Sequence, residues 1–173
     1  MNLHAIQAAI RDVPDFPKPG ILFKDITPIL SDPRLFRATV DLFAERHRNT
    51  ALDAIAAVEA RGFLIGAALA DRMGIGLIPI RKRGKLPFRT LEASYDLEYG
   101  SATLQIHEDA LPRGARTLLV DDLLATGGTL AAAADLIERL GAKVIEIDVL
   151  IELSFLNGRA RLGSRPVFAP LVY

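Results

Sequence analysis

Apolar positions recur along this chain in two rhythms. At residues 115–120 they form a short, nearly unbroken run, and at 143–153 Ile145, Ile147, Val149 and Ile151 alternate with Glu146, Asp148 and Glu152. Both patterns predict strands. Between them, Leu130, Ala133, Ala134, Ile137 and Leu140 fall at helical spacing, with Gly141 placed to stop a helix over 129–140. The same succession occurs earlier: a strand within 51–59 carrying Ile55, Ala57 and Val58, a helix over 62–73, and a strand over 76–80. Strands separated by helices of this length imply right-handed crossovers. The expected fold is α/β, a mainly parallel twisted sheet flanked by helices.

Two segments depart from this alternation. Residues 91–109 read as two extended arms around Gly100-Ser101, the second carrying Leu104 and Ile106, and predict a hairpin projecting from the sheet. At the N-terminus, Leu3, Ile6 and Ile10 mark one face of a short helix over 3–10. The prolines in Pro14-Asp15-Phe16-Pro17-Lys18-Pro19-Gly20 then deny helix and favour extended backbone. Ser31-Asp32-Pro33 supplies a capping side chain and a proline for the first helical position. Leu35, Phe36, Val40 and Phe43 continue that helix on one face.

Composition narrows the class. At 173 residues the chain suits one domain spanning 1–173. Lys plus Arg balance Asp plus Glu at 21 each, so the molecule as a whole has no pull toward nucleic acid or anionic membrane. The absence of cysteine excludes disulfides, a thiolate nucleophile and a cysteine zinc site, and suits a reducing cytoplasm. No apolar stretch approaches the ~20 residues needed to span a membrane. His4, His47 and His107 have no partner constellation in sequence and are expected at the surface.

The most informative stretch is Leu118-Leu119-Val120-Asp121-Asp122-Leu123-Leu124-Ala125-Thr126-Gly127-Gly128-Thr129. A buried strand delivers two carboxylates to its C-terminal end, where ligands of open α/β sheets bind. Ala125, Thr126, Gly127, Gly128 and Thr129 then turn into a helix N-terminus. Small residues there let amides converge on a phosphate, the threonines add hydroxyls, and the helix dipole favours negative charge. Asp121 and Asp122 suit ribose hydroxyls, directly or through a metal ion. Neither the Walker nor the dinucleotide glycine pattern is present. A second cluster, Arg81-Lys82-Arg83-Gly84-Lys85, follows a predicted strand and suits either a solvated face or a polyanion.

The stretch 118–129 resembles the phosphoribosyl-diphosphate signature of the type I phosphoribosyltransferases, in the form carried by their adenine-using members. The resemblance extends through 16–25, 61–66, 81–87, 93–100 and 152–153. It implies transfer of a 5-phosphoribosyl group from phosphoribosyl diphosphate to N9 of adenine, giving AMP and pyrophosphate, with Mg2+ held mainly by substrate and a homodimeric protein. It places the pyrophosphate on Arg61, Arg81, Lys82 and Lys85, in a region that often includes a cis peptide near the arginine. Arg61 alone could equally be a helix-start arginine paired with a nearby acid. The resemblance makes 1–33 include a base-binding hood. There the Leu22 carbonyl accepts from the adenine amino group, the Lys24 amide donates to N1, and Phe23 and Leu123 take the ring. Within a flexible loop and hairpin over 81–109, Glu98 matches the glutamate that handles a purine proton, and Tyr99 the adjacent tyrosine.

Two other readings fit part of this pattern. Xanthine- or guanine-using members carry their base-specific elements C-terminal to the sugar-phosphate loop, whereas the matching hood here precedes it. A purine-sensing regulator would keep the loop without catalysis, but would need a nucleic-acid-binding module or a basic face.

Overall fold

The computed structural model describes residues 3–96 and 101–173, which fall into two compact units, Met1–Arg46 and His47–Tyr173. Residues 97–100, with Glu98 and Tyr99, lie outside the described residues.

The N-terminal unit contains α1 (Leu3–Ala9), a two-stranded antiparallel ribbon of β1 (Arg11–Pro14) and β2 (Leu22–Asp25), then α2 (Thr27–Ser31) and α3 (Pro33–Arg46). Its three helices pack together, with Ile6, Ile29, Val40 and Phe43 buried. The Asp32 carboxylate accepts from the backbone N–H groups of Arg34 and Leu35 at 2.8 and 3.3 Å, capping α3 as the Ser-Asp-Pro pattern predicts. The proline-rich stretch is not extended throughout. It reverses between β1 and β2, with Asp15 and Gly20 at positive φ and the Gly20 N–H donating to the Asp15 carboxylate at 2.7 Å. The prolines leave the ribbon intact because Pro14 stands at a strand end, opposite Leu22.

The C-terminal unit follows the α/β order. Its elements are β3 (Ala54–Val58), α4 (Arg61–Met73), β4 (Gly76–Lys82), β5 (Thr90–Asp96), β6 (Ser101–His107), β7 (Arg116–Leu124), α5 (Gly128–Arg139), β8 (Lys143–Glu152), a 3-10 turn (Ser154–Leu156), α6 (Arg159–Leu162), β9 (Val167–Phe168) and β10 (Leu171–Val172). The sheet order is β10-β8-β7-β3-β4-β6-β5, with β9 also on β8. From β10 to β4 every pairing is parallel. β6 joins β4 antiparallel at Arg81 and Lys82, and β5 pairs antiparallel with β6. The base of the expected projecting hairpin is therefore part of the sheet, and Leu104 and Ile106 are core residues.

Alternation along β3 explains the two helical layers. Ala54, Ala56 and Val58 join Leu119, Ile147 and Val149 in a cluster with α5, through Leu130, Ala133, Ala134 and Ile137. On the opposite face α4 closes on β3, where a Cβ at Gly66 would stand only 2.6 Å from the Cβ of Ala57. β7 runs four residues past the strand expected from the apolar run, keeping Asp121 to Leu124 in register with β8. The polar face of β8 is buried: Asp148 is inaccessible, and Glu146 and Glu152 are nearly so. Long-range partners permit this. His47 Nε2 lies 2.8 Å from Asp148 and 3.6 Å from Glu146. The expectation of a surface position for His47 is thus corrected, because its ring satisfies a buried carboxylate.

Candidate active site

A cavity of about 470 Å³ opens at the C-terminal ends of β3, β4 and β7, lined by Glu59, Ala60, Arg61, Lys82, Tyr95 and the segment from Asp121 through Gly127, with Thr129 and Leu130. β7 is buried from Thr117 to Val120 and then presents the two acids. α4 starts at Arg61, immediately beside them, and its second residue must be small. A Cβ at Gly62 would lie 2.8 Å from Asp121 Oδ1. The Glu59–Ala60 peptide at this strand end is cis.

The acids are held out of their ordinary titration range. Burial pushes the Asp121 carboxyl well up, and the neighbouring Asp122 charge pushes it further. Burial also raises Asp122, opposed by the Arg61 guanidinium. Arg61 Nε stands 2.7 Å from Asp122 Oδ2, and the Asp122 N–H donates to Asp121 Oδ1 at 2.8 Å. In this state Arg61 is the helix-start arginine paired with an acid, and at the same time a cation at the cavity wall.

The turn into α5 has the geometry of an anion cradle. Gly127 adopts φ +83°, and no side chain caps the helix. The first-turn N–H groups of a helix have no intrahelical partner, so they are available to a ligand. The cradle has a back wall that sequence reading missed. A Cβ at Gly158 would collide with the Ala125 carbonyl, and one at Gly127 with the Gly158 carbonyl. Two backbone segments therefore touch where only glycine fits. The wall is anchored by Arg159, whose Nε and Nη2 donate to the buried Glu152 carboxylate at 2.6–3.0 Å. A glycine after the last long strand was the available signal, but nothing local ties Gly158 to a loop so far upstream.

The basic run splits. Lys82 lines the cavity, whereas Lys85 is exposed and outside the lining. Arg81 is turned into Glu59: its Nε donates to Glu59 Oε2 at 2.9 Å, and its Nη1 to the Lys85 carbonyl at 3.1 Å. The same Glu59 oxygen accepts from the Lys82 N–H at 3.2 Å. Glu59, absent from the sequence-derived set, thus organises the end of β4.

The remaining candidates occupy both units. Leu123 lies in β7 and lines the cavity. Leu22, Phe23 and Lys24 form β2 of the N-terminal unit, where Phe23 meets Phe16 edge to face at 5.1 Å and Lys24 Nζ donates to Asp12 at 2.6 Å. Leu22 is 47% exposed. Its carbonyl takes no ladder bond from Pro14 opposite, which has no N–H. Among the described residues one group offers three metal-type ligands, His47, Glu146 and Asp148, and none of these lines the cavity.

A family model described as the phosphoribosyl transferase domain matches residues 25–162. The chain belongs to the phosphoribosyltransferase family. Within that family it is 57% identical over 159 residues to an adenine phosphoribosyltransferase of Solidesulfovibrio magneticus, covering 92% of this chain and 93% of the relative. The crystal structure of adenine phosphoribosyltransferase from Thermoanaerobacter pseudethanolicus matches with a TM-score of 0.97 at 49% identity, over 99% of this chain and 100% of that one. The Saccharomyces cerevisiae enzyme, complexed with an imino-altritol bisphosphate and adenine, matches with a TM-score of 0.94 at 42% identity, over 98% of each chain.

Proposed function

We propose that this chain catalyses adenine salvage: adenine N9 attacks ribose C1′ of phosphoribosyl diphosphate, the C1′–O bond to pyrophosphate breaks, and AMP and pyrophosphate leave. The observation that carries this reading is the uncapped N-terminus of α5, set beside two carboxylates and two cations in one cavity. The 5-phosphate lies on the backbone and hydroxyls of Ala125, Thr126, Gly127, Gly128 and Thr129. Asp121 and Asp122 hold the ribose hydroxyls. Arg61 and Lys82 face the departing pyrophosphate, with Arg81 and Lys85 from the same strand end adding positive charge. Fixed charges of this kind stabilise a dissociative transition state with developing anion on the leaving group.

Base choice rests on β2. The Leu22 carbonyl accepts from the exocyclic amino group and the Lys24 N–H donates to N1, with Phe23 and Leu123 offering apolar surface to a purine. Hypoxanthine reverses donor and acceptor at both positions, a mismatch worth ~10⁴ or more in discrimination. Glu98 handles the purine proton beside Tyr99. A Glu98→Gln variant is expected to slow single-turnover chemistry by about 10²–10⁴ with little change in affinity.

The donor set fits magnesium carried on substrate oxygens and water rather than a protein cage. Three carboxylates line the cavity, Asp122 engaged by Arg61 and Glu59 by Arg81, far short of six free oxygen ligands. Bound magnesium would neutralise charge on the pyrophosphate oxygens. The reading includes a homodimer working in the cytoplasm; the absence of cysteine suits a reducing compartment. No helix among the described residues is long and apolar enough to cross a membrane. The test is turnover of five purine bases with phosphoribosyl diphosphate and magnesium. Adenine should be strongly preferred, and comparable kcat/KM for adenine and hypoxanthine would refute the assignment of β2.

A further inference from the structure

Tyr95 is the last residue but one of β5, and its ring lies across the start of α5. A Cβ at Gly128 would stand 3.1 Å from Tyr95 Cδ2 and 3.7 Å from the Asp96 carbonyl. The phenol reaches the cradle itself, since the Thr129 hydroxyl donates to the Tyr95 hydroxyl at 3.1 Å. Both residues line the cavity, and Tyr95 also packs on the core cluster beneath it. A strand of the antiparallel extension therefore carries a hydroxyl into the turn that the parallel strand β7 builds.

We propose that Tyr95 is a positioning residue for the 5-phosphate, acting through Thr129 by reversal of this hydrogen bond. The inference rests on the reading of 125–129 as the phosphate cradle. An ionised phosphate oxygen can only accept, so a bond to it from the Thr129 side chain uses the hydroxyl proton, which in this state points to Tyr95. The phenol has a proton of its own. When Thr129 turns to the phosphate, the Tyr95 O–H turns to the vacated lone pair of Thr129 Oγ1. The result is a two-step chain, phenol to threonine to phosphate, ending on an anion, where each bond polarises the next. Acting through Thr129, Tyr95 bears on sugar-phosphate binding and not on the chemical step. The arrangement also gives glycine at 128 a role: a Cβ there would press on the ring at 3.1 Å and on Arg161 Nη1 at 3.3 Å, so the ring would have to shift.

The test is a double-mutant cycle on Tyr95→Phe and Thr129→Val, read by calorimetric titration with ribose 5-phosphate and by steady-state kinetics. Phe keeps the ring against Gly128, and an unchanged circular dichroism spectrum and melting curve check the fold. Tyr95→Phe should weaken ribose 5-phosphate by about two- to tenfold, the range of one neutral hydrogen bond. KM for phosphoribosyl diphosphate should rise in step, with kcat and KM for adenine unchanged. In the Thr129→Val background the Tyr95→Phe change should have no further effect, and Thr129→Ser should restore it. An undiminished effect in the Val background means direct phosphate contact or general packing, and overturns the relay. So does a neutral Tyr95→Phe when Thr129→Val weakens binding. If Thr129→Val itself binds ribose 5-phosphate normally, the cradle reading fails and the relay with it.

Discussion

At residues 125–129 the site is made of backbone: a left-handed glycine, an uncapped helix start and a second backbone segment, around Gly158, pressed against it. At residues 59–85 it is made of side chains. Arg61 rests on Asp122, Arg81 on Glu59, and the Lys82 N–H on the same Glu59 oxygen. The first region has its backbone donors aimed before any ligand arrives. The second has Arg61 and Arg81 seated on carboxylates, and those two must exchange partners to meet an anion. On the proposed assignment, preorganised backbone serves the phosphate that is never altered, and exchangeable ion pairs serve the group that leaves.

Four changes would break or sharpen this contrast. The largest effect should come from Asp121→Ala with Asp122→Ala, which removes the acids between the two regions and frees Arg61. Affinity for phosphoribosyl diphosphate should fall by about a hundredfold or more, the scale of two charged hydrogen-bond partners. Circular dichroism should remain native, and wild-type affinity by calorimetry in the folded variant would reject the ribose assignment. Next is Gly158→Ala, far from any side-chain chemistry. Its methyl group has no room against Ala125, so stability should drop by about 1–3 kcal/mol in denaturant titration and ribose 5-phosphate should bind about tenfold more weakly. Normal binding would mean that the back wall is dispensable.

A smaller effect is expected from Glu59→Gln. The amide oxygen still accepts from the Lys82 N–H and from Arg81 Nε but carries no charge to pair with the guanidinium. Since that arginine is about one-third exposed, the change in KM for pyrophosphate in the reverse reaction should be only about threefold. A loss as large as that of the aspartate pair would make Glu59 a direct ligand. The smallest effect is one read on stability in the ligand-free protein. Burial raises the Asp121 pKa in the folded state, so its contribution to stability is full below the unfolded-state value and is lost as pH rises through the folded one. Asp121→Asn, which keeps the acceptor for the Asp122 N–H, should raise the melting temperature by a few degrees at pH 8 and leave it unchanged at pH 4. An equal gain at both pH values would assign it to packing.

The same contrast accounts for what could be read from sequence. Parallel strands and their helices follow from apolar spacing, and the cradle from small residues placed after two acids, because both are local. The ends of β7 were not legible: Asp121 and Asp122 look like the end of a strand, but pairing of Leu123 with Ile151 carries it on. Nor was the burial of Glu146, Asp148 and Glu152, since their alternation with isoleucine is what a half-solvated strand would show. Their partners, His47 and Arg159, are brought in by topology. Glu59 and Tyr95 escaped notice for the same reason. Each acts on a residue in another strand or helix, and only the fold sets them side by side.

The order of cradle and wall along the chain has a consequence for synthesis. The turn at 125–129 leaves the ribosome before Gly158 and the Glu152–Arg159 anchor that support it. Until those residues emerge, α5 has its hydrophobic face but its phosphate turn has no backing. Acquisition of ligand affinity should thus lag behind helix formation during translation. A nascent chain stalled before Gly158 would lack that backing together with the core residue Leu162 and strands β9 and β10, so ligand affinity should appear only after they emerge.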